Sequence, residues 1–346
     1  MTIDSRLHEL KQNLQSHLTD GLVLIVGSGL SVGEGLPGMG RLESVLKSDI
    51  PKCIDSSDEK DWEQVVEKLD GGRGLEGALQ DIKVSEQLES LIRKVVAAHI
   101  ERDERTAIQE SFSGKRTLRM SRLLPHLSPE PNKPLPVITT NYDRLIEVAA
   151  EMAGYGVDTM FCGSFAGAMD AELSKKAFIK SVVRGKKVKV EYRKRVALFK
   201  PHGSLGWYAL NGAPIQCHIP LELPPYIITP GLAKYRRGYD APFDSQREAA
   251  NQAIDGAARF LVIGYGFNDD HLETHLAPQI AKGKPCLILT HGLTTNAEAI
   301  VQAAPNALAI VDSPGGFKTV SASGEETFSG SALWDVAVFV REVLEP

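Results

Sequence analysis

A short, wholly apolar segment that runs straight into a glycine turn is the feature that most constrains the fold of this chain. Residues 22–26 read Leu-Val-Leu-Ile-Val, and Gly27, Ser28 and Gly29 follow them without a break. An apolar run with no polar alternation is typical of a strand that is buried on both faces of a parallel sheet. The segment therefore predicts a buried parallel strand that leads through a turn into a helix.

The same order of strand, polar tip and helix recurs along the chain. Apolar strands are predicted at residues 134–140, 196–199, 259–263, 285–289 and 307–311, and helices at 144–153, from about 271, at 296–303 and at 333–344. Strands that alternate with helices favour an α/β fold with a doubly wound, Rossmann-like parallel sheet.

The length of 346 residues fits either two domains or one nucleotide-binding domain with a long insertion. Residues 1–20 are predicted to form an amphipathic helix, whose leucines face either the core or another subunit. These leucines are Leu7, Leu10, Leu14 and Leu18. We expect residues 21–346 to form the main domain, with a helical insertion at about 42–130 that lies as a lobe over the pocket. Its helices are predicted at 62–69, 75–82, 85–100 and 106–124, and strands and loops at 155–200.

The charge distribution is uneven. The net charge of -5 does not favour nucleic acid or anionic lipid as a general partner. Residues 180–200, however, hold nine basic residues against one acid, a local charge of +8, which leaves -13 on the rest of the chain. This basic segment is either a solvated hairpin whose lysines discourage edge pairing, or a site for a polyanion such as nucleic acid.

Two further patterns bear on location and metal binding. No apolar run reaches the ~18 residues of a membrane helix, and residues 1–20 lack the apolar stretch of a secretory signal, so we expect no membrane association and a cytoplasmic location. The four cysteines lie far apart with no C-x-x-C pair, which argues against a disulfide framework and a structural zinc site. They are Cys53, Cys162, Cys217 and Cys286.

Four polar motifs stand where predicted strands end. They are Gly27–Ser31, Thr139–Asp143, His202–Ser204 and Gly264–Asp269. In a doubly wound sheet, ligands bind at these ends because the loops converge there and helix N-termini offer unpaired N–H groups. Val32 stands where a dehydrogenase fingerprint has its third glycine, so that type of nucleotide site is disfavoured.

Taken in order, these motifs resemble those of the sirtuin superfamily: a G-A-G-x-S turn, G-I-P, T-Q-N-x-D, H-G and a G-x-S-like strand end. The G-I-P counterpart is Gly35-Leu36-Pro37, and the resemblance extends from about Leu22 to Leu272. It implies the sirtuin fold and the use of NAD.

The chain also departs from the deacetylating sirtuins. Those enzymes hold zinc with two C-x-x-C pairs after the H-G motif, where this chain has only Cys217. Residues 38–41 replace the family's D-F-R, which leaves open whether Arg41 contacts the diphosphate. The zinc-less pattern resembles the sirtuin-like effectors of bacterial antiphage defence. That group hydrolyses NAD to ADP-ribose and nicotinamide, and the resemblance implies a homo-oligomer that pairs with a HerA-type ATPase.

Residue roles follow from chemistry and from this resemblance. Cleavage of the nicotinamide–ribose bond needs a positioned water or hydroxyl and a proton acceptor, tasks that suit Asn141 and His202. The resemblance implies that Asp143 binds the nicotinamide amide. It also implies that Gly27, Ser28, Gly29 and Ser31 meet the diphosphate or its ribose, and that Gly264 and Asp269 lie near the adenosine.

Other interpretations stay open at this point. Taken singly, His202 is a turn residue, and Asn141, Asp143 and Asp269 are helix N-caps. The whole chain could be a non-catalytic sensor or scaffold that binds NAD or an ADP-ribose derivative. It could also be an NAD-dependent protein deacylase or ADP-ribosyltransferase, or a nuclease that uses the basic segment.

Overall fold

A computed structural model describes residues 3–127, 132–185, 188–229 and 241–345. Within these ranges, the strands are β1 Leu22–Val26, β2 Leu135–Thr139, β3 Gly156–Asp158, β4 Phe161–Cys162, β5 Ala166–Met169, β6 Ile179–Arg184, β7 Val188–Tyr192, β8 Arg195–Phe199, β9 Trp207–Leu210, β10 Ala213–Cys217, β11 Arg259–Ile263, β12 Cys286–Leu289, β13 Ala307–Ser313, β14 Gly316–Ser321 and β15 Gly324–Ser329.

The helices are α1 Ile3–His17, α2 Ser28–Gly33, α3 Met39–Asp49, α4 Glu59–Asp70, α5 Leu75–Asp81, α6 Glu86–Phe112, α7 Arg119–Leu123, α8 Leu145–Met152, α9 Ala171–Lys176, α10 Phe243–Gly256, α11 Asp270–Ala281, α12 Thr295–Ala303 and α13 Val336–Phe339. Short 3₁₀ turns cover Ile50–Lys52 and Leu124–His126, and a π-turn covers Val340–Leu344.

The central sheet has nine strands in the order β15-β14-β13-β12-β11-β1-β2-β8-β3. Pairing is parallel from β13 to β3, and β14 and β15 extend the sheet as antiparallel strands. Along the chain, β2 is added on one side of β1 and β11 on the other, so the strand order reverses at β1. The predicted α/β fold with a doubly wound parallel sheet is confirmed.

The apolar segments became strands because they are buried on both faces. Every residue of β1 is buried, as is every residue of β12. The antiparallel strands β14 and β15 were not predicted, since their polar and apolar residues alternate and give no continuous apolar run. The prediction of two helices at 85–100 and 106–124 also differs from the structure. Helix α6 runs without a break to Phe112 and ends before Gly114, whose φ is +74°.

The helical insertion shares the core of the sheet. Buried side chains of α3, α4 and α6 belong to the same apolar cluster as Leu24 of β1 and Val137 of β2. Helix α1 joins this cluster as well, because Leu14 is buried and the other three leucines of its stripe pack against it. The stripe therefore faces the core of this chain.

Within residues 155–200, β3 and β8 join the central sheet, and the strands between them belong to small antiparallel units. Strands β4, β5, β10 and β9 make one sheet, and β6 pairs with β7 as a two-stranded hairpin. The first part of the basic segment lies in this hairpin, although Lys186 and Lys187 lie outside the described residues, and its last part lies in and after β8. Arg195 and Lys200 are buried, so they do not contribute to an exposed basic surface.

None of the helices in the described ranges is long and apolar enough to cross a membrane.

Candidate functional site

A cavity of about 200 Å³ lies at the carboxyl ends of β2, β8 and β11. Five of the residues predicted from the sequence line it: Ser31, Asn141, Asp143, His202 and Asp269. The other described lining residues are Leu36, Pro37, Met39, Ile100, Thr140, Tyr142, Ile228, Thr229, Tyr265, Gly266 and Asn268. The sheet order explains this convergence, because neighbouring parallel strands end at the same edge.

Asn141, Ser31 and Asp143 form a buried hydrogen-bond cluster. The Asn141 side-chain amide donates to the Gly27 carbonyl and to Ser31 Oγ, both at 2.9 Å. Ser31 in turn donates to Asp143 Oδ2 at 2.6 Å. Each side chain is thereby held in one orientation, with both N–H groups of the Asn141 amide engaged.

Asp143 is buried close to Lys200, whose side chain is also buried. Burial raises the pKa of the Asp143 carboxyl, and the positive charge of Lys200 opposes that rise. The Lys200 ammonium donates to the Asp143 carbonyl and lies 3.0 Å from Glu147 Oε1. Lys200 was not predicted as a site residue, although a lysine directly after an apolar strand was an available signal.

His202 lies against Asp269. Its Nε2 is 2.6 Å from Asp269 Oδ2, but the two atoms are not aligned as a regular hydrogen bond. The other carboxylate oxygen accepts hydrogen bonds from the His271 and Leu272 amides at the start of α11. Asp269 is thus an N-cap, and it is also the carboxylate nearest to the candidate proton acceptor, a position the adenosine-side expectation did not include.

Residues 226–229, after strand β10, close the cavity beside His202. The Ile228 amide donates to the His202 carbonyl at 2.9 Å, and Tyr142 Oη donates to the Ile228 carbonyl at 2.6 Å. Gly203 has a φ of +87°, and a Cβ there would lie 2.2 Å from the Tyr226 carbonyl oxygen. Glycine is therefore required after His202 for this close approach. No sequence pattern had indicated that residues 226–229 reach the site.

The ends of β1 and β11 contact each other through backbone. The Gly27 amide donates to the Ile263 carbonyl and the Gly29 amide to the Gly264 carbonyl, each at 2.9 Å. A Cβ at Gly27 would lie 2.4 Å from Gly264 O, and one at Gly29 would lie 2.7 Å from Gly264 Cα. These glycines are needed for the packing of two turns, and the two amides are already paired.

The remaining predicted residues lie away from the cavity wall. Ser28 is exposed and, like Gly27, Gly29 and Gly264, is not among its described lining residues. Arg41 is about half exposed, and its guanidinium pairs with Asp103 of α6 at 2.9 Å. Pro37 and Met39, which flank this segment, do line the cavity.

Tyr265 of the cavity wall contacts a partly buried acid, Glu273, that was not predicted as a site residue. Tyr265 donates from its hydroxyl to Glu273 Oε1 at 3.0 Å, and burial raises the pKa of the Glu273 carboxyl to about 7. Burial raises the pKa of the Tyr265 hydroxyl as well. A glutamate one turn into a helix gives no sequence signal of this kind, because its burial depends on how α11 packs against the sheet.

The cysteines do not fit the zinc site of deacetylating sirtuins. Cys162 and Cys217 lie in the small sheet, Cys286 is buried in β12 and Cys53 is exposed. Among the described residues, no group of three His, Cys, Asp or Glu side chains is placed to hold a metal ion. Four thiolates cannot meet at one point in this fold.

Comparison with protein families matches residues 136–292 to the SIR2-like domain. This segment contains Asn141, Asp143, His202 and Asp269, whereas the Gly27–Ser31 turn lies before it. Comparison with curated proteins gives no match.

Solved sirtuin structures resemble the whole chain at low identity. One, described as the structural basis of sirtuin substrate affinity, is 14% identical with a TM-score of 0.45, over 100% of this chain and 99% of that one. A Sir2 homolog–NAD complex is 12% identical with a TM-score of 0.44, over 96% and 94%. A mutant Sir2 homologue in complex with 2'-O-acetyl ADP-ribose is 13% identical with a TM-score of 0.46, over 97% and 96%.

Proposed function

We propose that this chain hydrolyses NAD to ADP-ribose and nicotinamide in the cavity at the ends of β2, β8 and β11. One observation carries the proposal: Asn141, Asp143 and His202 converge in one cavity within the segment that matches the SIR2-like domain. The motifs that supply these residues are separated in the sequence, and the fold brings them to one edge of the sheet.

Asn141 is suited to hold the attacking water or a ribose hydroxyl. Its two N–H groups donate to Gly27 and Ser31, which leaves Oδ1 to accept a hydrogen bond from the substrate side. Because the side chain is fixed at both donors, the accepting oxygen keeps one position. A fixed acceptor of this kind lowers the entropic cost of orienting water for attack.

His202 is suited to take the proton. In the proposed step, the water oxygen bonds to the anomeric carbon of the ribose while the bond from that carbon to the nicotinamide nitrogen breaks. The bonding electron pair leaves with the nitrogen, so nicotinamide departs neutral, and the water proton passes to His202. The transition state is oxocarbenium-like, and a partly closed cavity excludes competing nucleophiles.

The size of the cavity supports partial enclosure of the dinucleotide. About 200 Å³ is below the roughly 300–1,000 Å³ of sites that enclose a whole drug-sized ligand. We therefore assign the cavity to the nicotinamide and its ribose, with Asp143 directed to the carboxamide. The diphosphate and adenosine would then extend along Ser28 and the β11 end.

The decisive test is release of nicotinamide and ADP-ribose from NAD by the purified chain. Asn141→Ala and His202→Ala should each lower turnover about 100-fold or more. His275→Ala is a matched control, because His275 lies on α11 with its ring nitrogen on Asp255, outside the cavity. Equal turnover in all variants would refute the proposed roles, and NAD binding without any turnover would indicate the sensor function instead.

The biological setting is part of the same proposal and rests on the motif resemblance. We propose a cytoplasmic effector of bacterial antiphage defence that depletes NAD when activated, as a homo-oligomer paired with a HerA-type ATPase. Light scattering after size exclusion should give a mass that is a multiple of 37.6 kDa. A monomer that also fails to co-purify with a co-expressed HerA-type ATPase would contradict this setting without affecting the chemistry.

A further inference from the structure

We propose that Asp269 is the positioning residue for His202, with one carboxylate oxygen fixed by the start of α11 and the other holding the imidazole. The role of the pair in turnover rests on the proposed function. The pairing itself is a property of the folded chain and is tested without NAD.

The short contact favours a proton on the His202 nitrogen that faces Asp269. Nε2 of His202 and Oδ2 of Asp269 are 2.6 Å apart, and both atoms are buried. Two lone pairs at this distance would repel each other, whereas a protonated nitrogen and a carboxylate attract at about this spacing. Nε2 therefore carries the proton, and Nδ1 is the ring nitrogen that remains to accept a proton from the substrate side.

The carboxylate is fixed independently of the histidine. Oδ1 of Asp269 accepts from the amides of His271 at 3.1 Å and Leu272 at 3.0 Å. The positive end of α11 also favours a negative charge at this N-cap. Because the helix holds one oxygen, the other oxygen stays in place when the imidazole changes protonation.

No other acid among the described residues contacts the imidazole in this way. Asp143 lines the same cavity, but its oxygens accept from Ser31 and the Leu145 amide. Tyr142 and Tyr265 line the cavity with neutral hydroxyls, which bond to the Ile228 carbonyl and to Glu273.

The nearby cation is directed elsewhere. The Lys200 ammonium donates to the Asp143 carbonyl and to Glu147, and Lys200 is not among the described residues that line the cavity. The charge that acts most directly on His202 is therefore that of Asp269. When His202 takes a proton during turnover, this carboxylate stabilises the imidazolium that forms.

Asparagine and serine substitutions separate capping from pairing. Asp269→Asn keeps an oxygen for the α11 amides but removes the charge beside His202. Asp269→Ser keeps a good N-cap, while its short side chain cannot reach the imidazole. Asp170→Asn is the matched control, since Asp170 caps α9 through the Leu173 amide and does not line the cavity.

The first readout is the tautomer of the His202 ring, read from its ¹⁵N chemical shifts by NMR on protein with isotope-labelled histidine and assigned by the signal lost in His202→Ala. The neutral ring of the unaltered chain should carry its proton on Nε2, Asp269→Asn and Asp269→Ser should each weaken that preference, and Asp170→Asn should leave it unchanged. The same tautomer preference in both Asp269 variants, with folded spectra, would overturn the proposal whatever the NAD turnover.

The second readout is the pH profile of NAD turnover. A weaker base should lower the maximal kcat about tenfold and move the acid limb of kcat to lower pH, with KM little changed. A purely capping role would leave kcat and the acid limb of Asp269→Asn as in the unaltered chain, and would overturn the proposal. If the tautomer preference changes in the variants but no preparation turns over NAD, the pairing stands and the proposed function fails.

Discussion

The carboxyl edge of the central sheet has two sides that are built in different ways. On one side, the turns after β1 and β11 pack through backbone alone, with Gly27 and Gly29 against Gly264. On the other side, the ends of β2, β8 and β11 project side chains into a cavity, including Asn141 and His202. We call these the glycine side and the side-chain side.

The difference shows that a glycine motif at a strand end has two physical meanings. Glycine lets backbone come close to a ligand, but it equally lets backbone come close to backbone. In this chain the second meaning accounts for the glycine side, because a Cβ at Gly27 or Gly29 would clash with the β11 turn. The space for chemistry opens only where polar side chains replace the glycines.

The largest effect on the glycine side is expected from Gly27→Ala. The Gly27 backbone has a φ of -109°, which any residue can adopt, so the requirement is one of space alone. Its Cβ would lie 2.4 Å from Gly264 O and 2.5 Å from Tyr265 Cα. We expect a loss of about 3 kcal/mol or more in the free energy of unfolding, measured by chemical denaturation.

The control for this substitution is Gly40→Ala in α3, where a Cβ would meet nothing within 4 Å. It should leave stability unchanged or raise it by up to about 1 kcal/mol, because alanine restricts the unfolded chain. A Gly27→Ala protein as stable as Gly40→Ala would show that the two turns are not locked together.

The side-chain side should respond to pH through Glu273, which supports Tyr265. Its pKa is raised to about 7 in the folded chain, above the ordinary value of 4.5, so the folded state binds the proton more tightly. The free energy of unfolding should therefore fall as pH rises from about 4.5 to about 7. The glutamine of Glu273→Gln cannot ionise. Between pH 5 and pH 8, the free energy of unfolding of this variant should therefore rise by about 2 kcal/mol relative to that of the unaltered chain, allowing for partial exposure.

Denaturation curves at the two pH values measure this difference. Glu298→Gln is the matched control, because Glu298 is an exposed acid in the first turn of α12. Parallel pH dependence of the Glu273→Gln and unaltered proteins would mean that Glu273 is not the group that titrates.

The smallest effect is expected at Arg41, which belongs to neither the glycine side nor the side-chain side. Its exposed ion pair with Asp103 should contribute less than about 1 kcal/mol to stability. Arg41→Ala should change kcat/KM for NAD by no more than about twofold, because the side chain points to α6 and not to the cavity. A large rise in KM would instead place Arg41 on the diphosphate.

The central sheet was predictable because its strands carry continuous apolar runs, and β1 and β11 follow the expected boundaries closely. Strands β14 and β15 were not, since antiparallel strands with one exposed face lack such runs. Helix α6 differs from the prediction for another reason. A helix boundary was expected near residues 101–105, but Glu104 in that stretch is buried and pairs with Arg144, a contact that no local sequence pattern reveals.

The site was partly predictable. Asn141, Asp143 and His202 stood out because they follow apolar strands, and strand ends meet at one edge. The contacts that hold them were not visible in the sequence, since they depend on side chains and backbone from distant segments. Lys200 behind Asp143 and the Ile228 backbone beside His202 are examples.

The position of β1 at the centre of the sheet also affects how the chain reaches its native state. Leu22 pairs with Arg259, which is 237 positions later. At a synthesis rate of about 5–20 residues per second, this wholly apolar strand leaves the ribosome roughly 10–50 s before its partner strand β11. During that interval, one edge of β1 has unpaired backbone groups that can pair with other chains. The yield of folded protein in cells should therefore depend on chaperones and on the speed of translation.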